Sequence, residues 1–161
     1  MTKPIIWEAP DSIKKKSKLT QFLKYCNVSN YDDLEKKSFS DPGWLWDNVI
    51  KFSDLKFYKP YKKILDETKG APWSKWCVGG TTNIVLNCVD RHKDKDFFKE
   101  TFIYSEREDG KENSITYEEF DKQISKVGNS LKINGFKKGD VIALYMPQFI
   151  ETYIAYFAIL K

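Results

Sequence analysis

A chain of 161 residues, 41% hydrophobic and 31% charged, has globular composition, which excludes a disordered or collagen-like polymer and fits one domain or part of one. The net charge of +4 is uneven: residues 1–75 hold 15 Lys against 10 acidic residues, whereas residues 76–161 hold 12 basic against 13 acidic. Only Arg91 and Arg107 are arginine, the residue that supplies most bidentate phosphate and base-edge contacts, so the composition argues against nucleic-acid readout.

The opening MTKPIIWEAP has Pro4 and Glu8 where a signal peptide needs an apolar run, so no secretion is expected. The run Lys14-Lys15-Lys16 reads as a solvated face. Ser17 caps a helix whose apolar positions Leu19, Phe22 and Leu23 recur at helical spacing. Asn30 opens a second short segment over 31–38. Ser40-Asp41-Pro42 starts a third helix, with a capping side chain followed by a proline whose missing N–H costs nothing there. That helix sets Leu45, Trp46, Val49 and Ile50 on one stripe. Phe57 to Tyr61 is expected to be extended, because the residue before Pro60 is pushed out of the α region.

The character changes near Lys69-Gly70-Ala71-Pro72, which divides the chain into 1–72 and 73–161. Asn83–Lys93 reads as a helix with Val85, Cys88, Val89 and His92 along one side. Thr101–Ser105 is β-branched and aromatic, hence a strand, and is followed by the turn Glu108-Asp109-Gly110-Lys111. Thr116 with Glu119 is a capping box for a helix reaching about Asn134, its buried face formed by Phe120, Ile124, Val127 and Leu131. Gly135 stops that helix in the left-handed conformation. Val141–Met146 is an apolar strand broken by Pro147, and a last helix runs from about Phe149 to the end. The pattern is βαβα, which predicts an α/β fold with parallel strands covered on both faces. The last helix, Ile154 to Leu160, is apolar nearly all round and is expected to need burial on every side. With Pro147, Gln148 and Glu151 before it, it is too short and interrupted for a membrane span. Two α/β units do not supply that cover, so the chain reads as part of something larger.

The chemistry-bearing residues are sparse. No GxxxxGK[ST] or GxGxxG cradle exists. Gly79-Gly80-Thr81-Thr82 is either an anion nest or, as the plainer reading, a tight turn with Thr81 or Thr82 capping the next helix. His92 is the only histidine, which removes a His-based metal site or a Ser-His-Asp triad; a structural hydrogen bond is its plainer role. Cys26, Cys77 and Cys88 form no CxxC pair and point to reduced thiols in a cytoplasmic compartment, buried rather than nucleophilic. Glu106, Glu108, Asp109 and Glu112 read as a solvated turn. The tryptophans Trp7, Trp44, Trp46, Trp73 and Trp76 read as packing anchors. No catalytic, cofactor-binding or metal-ligating residue is assigned.

The order and spacing of Trp76, Gly79-Gly80, Asn83-Ile84, Asn87-Cys88-Val89-Asp90-Arg91-His92, Ile115-Thr116-Tyr117-Glu118-Glu119, Gly135, Lys137-Lys138-Gly139-Asp140-Val141-Ile142-Ala143 and Tyr145-Met146-Pro147 with Glu151 resemble the N-terminal region of AMP-forming acetyl-CoA synthetases, in the acyl-adenylate-forming superfamily. Residues 31–66, with Ser38 to Pro42, Trp44-Leu45-Trp46 and Lys59-Pro60-Tyr61, look like the helical extension preceding that region. Trp7-Glu8-Ala9-Pro10 with Leu19 to Phe22 also resembles acetoacetyl-CoA synthetases.

The resemblance implies a helical extension over 1–72 and the start of the large AMP-binding domain over 73–161. It also implies a reaction in which ATP activates a carboxylate to an acyl-adenylate, from which the acyl group passes to CoA. ATP, Mg²⁺ and CoA would belong to the complete enzyme. The family's Pro-Lys-Gly phosphate loop, ribose-binding acidic residue and C-terminal lysine match nothing in this sequence, so the chain alone is expected to be inactive and to bind none of these groups. Asn87, Asp90 and Arg91 match motif positions and are expected to be structural, tying helix to sheet. Three readings stay open. The chain is an N-terminal piece of such a synthetase, or a non-catalytic subunit completed by a partner, or a separate binding module for CoA or nucleic acid. The exposed apolar helix is expected to make the isolated chain self-associate, as the first reading requires.

Overall fold

The computed structural model describes residues 6–161, so the first five residues of the opening segment lie outside the described residues. Two compact units emerge. One comprises residues up to Leu55 together with Lys59–Gly80; the other comprises Lys56–Tyr58 together with Thr81–Lys161.

The first unit is built from α1 (Asp11–Lys16), α2 (Lys18–Tyr25), α3 (Tyr31–Ser40), α4 (Pro42–Phe52), β1 (Lys63–Asp66) and β2 (Lys75–Val78). Its helix starts follow local capping chemistry. Ser17 accepts from the Thr20 N–H, Asn30 from Asp33 and Asp41 from Trp44, with Pro42 at the first helical turn. Each cap satisfies an amide that the helix itself leaves without a partner. Phe22 is buried and meets Phe52 edge-on at 5.2 Å between ring centroids, which fastens α2 to α4. β1 and β2 form an antiparallel pair, Lys63 opposite Val78 and Leu65 opposite Trp76. Neither strand was expected from its own sequence. Gly43 lies against this pair, where an added Cβ would come within 3.3 Å of Ile64.

The second unit holds α5 (Ile84–Cys88), β3 (Thr101–Glu106), β4 (Glu112–Thr116), α6 (Tyr117–Ile133) and α7 (Ile150–Leu160). Its core is Val85, Val89, Phe98, Phe120, Ile124 and Ala158, with Phe102, Val127, Ile154 and Phe157 packed against it. The capping box forms as its sequence predicts: Glu119 N–H donates to Thr116 Oγ1 at 3.2 Å and Thr116 N–H donates to Glu119 Oε2 at 3.0 Å. Gly135 ends α6 with φ of 89°.

Three expectations are corrected here. The helix expected over 83–93 stops at Cys88; Val89 bends the chain (φ −128°, ψ −64°) and Asp90–His92 is a 3-10 turn. Val85 and Val89 are both buried, as their shared side predicts, but beyond the bend His92 no longer continues the helix. Both sheets are antiparallel two-stranded ribbons rather than parallel, because β4 takes the place beside β3. Val141–Met146 pairs with no strand; Val141 and Tyr145 are almost wholly exposed, since strand structure needs a neighbour about 4.8 Å away and no strand stands there. As expected, the second unit does not cover α7 on every side. Ile150 and Ala158 are buried while Tyr153 and Tyr156 are nearly half exposed.

Candidate functional site

The polar groups of the second unit converge around α5 and the C-terminal end of α7. Asn83 caps α5 by accepting from the Val85 N–H at 2.8 Å, and its amide nitrogen donates to the Leu160 carbonyl at 2.5 Å. The cap is therefore Asn83, not Thr81 or Thr82 as expected. Thr82 uses its hydroxyl on the Lys56 carbonyl, at 2.7 Å. Asn87 sits one turn on from Asn83. Its side chain accepts from Lys56 N–H at 2.8 Å and donates to the Lys56 carbonyl at 3.0 Å and to Thr82 Oγ1 at 3.0 Å. Asn87 thus mimics a strand neighbour for residue 56, and it ties a helix to a connecting segment rather than to a sheet.

Asp90 and Asp121 share two ammonium groups. Lys161 Nζ lies 2.9 Å from Asp90 Oδ1 and 2.9 Å from Asp121 Oδ1, while Lys93 Nζ lies 2.9 Å from Asp90 Oδ1 and 3.0 Å from Asp121 Oδ2. Burial pushes the Asp90 carboxyl up, but the hydrogen bonds and charges of Lys161 and Lys93 outweigh it and hold the group below its ordinary range. Sequence reading singled out Asp90 alone. Asp121 and Lys161 lie 31 and 71 positions further on and carry no local signal of the partnership.

The remaining candidates have structural partners. His92 accepts from Arg91 Nε at 3.2 Å and packs at 5.2 Å from Phe97. Burial and the Arg91 charge hold the imidazole below its usual pKa, so it is neutral at neutral pH. Cys77 is left-handed (φ 49°), and burial followed by the Asp47 charge pushes its thiol up; burial does the same to Cys26. A raised pKa keeps these sulfurs as thiols, the poor nucleophile. Gly79-Gly80 is a turn in which Gly80 N–H donates to the Cys77 carbonyl at 2.9 Å. Asp109 accepts from Lys111 within the hairpin turn. A cleft of about 400 Å³ runs beside β3, with Ser105, Glu106 and Gln148 as its polar lining and Phe149 and Tyr153 as apolar walls.

Among the described residues no group of three or more His, Cys, Asp or Glu side chains is placed to hold a metal ion, and no helix is long and apolar enough to cross a membrane. The donor set does not fit a Mg²⁺–nucleotide site: the two sheltered carboxylates are already neutralised by lysines. What this constellation does chemically is fasten α5, α6 and α7 together.

Comparison with known proteins places the chain in a sequence context. Residues 31–88 match the family model described as acetyl-coenzyme A synthetase N-terminus, and residues 87–161 match that described as AMP-binding enzyme. The acetyl-coenzyme A synthetase of Chlorobaculum tepidum is 36% identical over 132 residues, 82% of this chain and 19% of the relative. That of Methanothrix soehngenii is 33% identical over 160 residues, covering 97% of this chain and 24% of the relative. Among solved structures, the acetoacetyl-CoA synthetase from Streptomyces lividans superposes with a TM-score of 0.82 over 96% of this chain and 24% of its own, at 19% identity, which shows a shared fold. The chain thus spans about a fifth to a quarter of the length of these relatives.

Proposed function

We propose, for a chain that belongs to the acetyl-CoA synthetase family through that family's N-terminal region, that it serves as the scaffold portion of an AMP-forming short-chain acyl-CoA ligase and has no activity by itself. The reaction is the adenylation of a carboxylate by ATP with release of pyrophosphate, followed by attack of the CoA thiol on the acyl carbon with AMP leaving. One observation carries the reading: similarity runs along 97% of this chain but over only 24% of the relative. Residues 1–72 act as the helical extension and 73–161 as the beginning of the nucleotide-binding domain. ATP, Mg²⁺ and CoA are bound by the remainder of the synthetase, in cis or as a separate subunit, in the cytoplasm.

Exposed apolar groups support a contact with that remainder. Val141 and Tyr145 in the segment before α7, and Tyr153 and Tyr156 on it, offer apolar surface to water, an arrangement more usual at an interface than on a free monomer. In the absence of the remainder, the same surface drives self-association of the chain.

The test is acetate-dependent ATP–pyrophosphate exchange, measured on the purified chain alone and after co-expression with the downstream portion of a related acetyl-CoA synthetase. The expected result is no exchange alone and exchange above background in the complex. Exchange by the pure chain would overturn the claim of inactivity. Failure of the two portions to co-purify or to act together would overturn the scaffold reading.

A further inference from the structure

We infer that Asn83, Asp90 and Asp121, acting on Leu160 and Lys161, form a register clamp that fixes α7 along its own axis. The need for such a device follows from the composition of α7. From Ile150 to Leu160 only Glu151 and Thr152 lack a mainly apolar side chain, so a displacement of four residues sets Ile150 in the place of Ile154 and Tyr153 in that of Phe157, one apolar residue for another. Hydrophobic burial holds such a helix against its neighbours without choosing its position.

The closest approach to α6 does not choose it either. A Cβ added at Gly128 would meet the Ala158 carbonyl at 3.5 Å, so the glycine lets the two backbones come together. The contact is to a backbone carbonyl, which every residue of the helix carries, so a helix displaced by four residues brings the Ile154 carbonyl to the same place. Packing at this point tolerates both positions.

The polar contacts at the end of α7 discriminate. Asn83 is oriented at both ends of its amide, the oxygen accepting from Val85 N–H and the nitrogen donating to the Leu160 carbonyl. Lys161 sits between two carboxylates that Lys93 bridges on the other side, so each of the four charges faces two of opposite sign. The Asp121, Asp90 and Lys161 side chains are only 18%, 24% and 25% exposed, which shelters these pairs from solvent more than an ordinary surface pair. A displacement of one turn, about 5.4 Å, takes the ammonium group out of reach of both carboxylates and the Leu160 carbonyl away from Asn83. It also leaves Asp90 and Asp121 sharing the Lys93 cation alone, two partly sheltered negative charges against one positive. Apolar area supplies the attraction and directional groups supply the uniqueness, the same division that a polar residue in a coiled-coil seam enforces. The clamp concerns residues of this chain only and stands independently of the synthetase reading.

The experiment is methyl-labelled NMR on the full chain, comparing contacts between α7 and α6 in the parent, in Lys161→Met and in Asn83→Ala with Lys161→Met. The parent is expected to give one set of contacts, with Ala158 as the α7 residue nearest Gly128. The double variant is expected to show a second set, about a tenth of the methyl intensity or more, in which Ile154 takes that place. Lys161→Arg, which keeps a cation between the carboxylates, is expected to retain the single set. A loss of clamp that merely lowers stability moves the melting temperature without creating a second set. One unchanged set of contacts in the folded double variant therefore overturns the inference. Should the double variant not fold, the decision is read on Lys161→Met alone, by the same two outcomes.

Discussion

Tyr61 donates its hydroxyl proton to Asp47 Oδ1 at 2.5 Å, joining the segment before β1 to the middle of α4. Burial, then the hydrogen bond to Asp47 and its charge, push the Tyr61 phenol up to about 12. A raised folded pKa means that the contribution to stability is complete below the ordinary value of 10.0 and is lost as pH rises from there through about 12. Spectrophotometric titration is expected to show one of the nine tyrosines ionising late. In Asp47→Asn that titration moves back toward the ordinary range, and the alkaline loss of stability shrinks with it.

The core of the second unit predicts a steep contrast between two aromatic positions. Phe120 is fully buried between Phe102 and Phe157, at ring distances of 5.0 and 5.3 Å. Phe120→Ala is expected to cost about 3–5 kcal/mol through lost transfer energy and the cavity left behind. Tyr145→Ala, at a wholly exposed position, is expected to stay within about 0.5 kcal/mol. Urea unfolding of both variants checks the difference.

Glu106 and Glu112 stand opposite each other across β3 and β4, both exposed. Like charges in that position oppose pairing. Glu112→Lys turns the repulsion into attraction and is expected to stabilise the hairpin by about 0.2–1 kcal/mol, with the gain shrinking at high salt. Thermal unfolding at low and high ionic strength reads it.

Gly80 permits a close approach that no other residue allows. A Cβ there would lie 3.0 Å from the Cys77 carbonyl oxygen and 3.2 Å from Tyr61 Cα, both backbone atoms that a rotamer change cannot move. Gly80→Ala is expected to destabilise the first unit by about 1–3 kcal/mol. Local amide exchange around Cys77–Gly80 should quicken in the same variant.

Acid provides a further check on the charged cluster. The depressed Asp90 carboxyl contributes stability above its ordinary value of 3.8 and loses it as pH falls through the folded value. Asp90→Asn is expected to flatten the acid limb of the stability profile and to cost about 1 kcal/mol at neutral pH. An acid limb identical to that of the parent would remove Asp90 from the account.

The sequence by itself determined the features whose causes lie within four residues of their effects. Ser17, Asn30 and Asp41-Pro42 start helices because each side chain reaches an amide three positions on, and Thr116 with Glu119 does so reciprocally. Gly135 ends α6 because its missing Cβ makes the left-handed region accessible. The family resemblance was legible for a related reason, since it rests on motifs in linear order.

Tertiary structure decided what depends on a partner far along the chain. Lys63–Asp66 and Lys75–Val78 become strands by pairing with each other, whereas Val141–Met146, the more apolar run, pairs with none. Val89 bends where a uniform helix was expected, which brings Asp90 to Lys161 over 71 positions. Helix caps carry their own partners within the segment, but a strand, a buried bend or an ion pair takes its free energy from whatever the rest of the fold sets beside it.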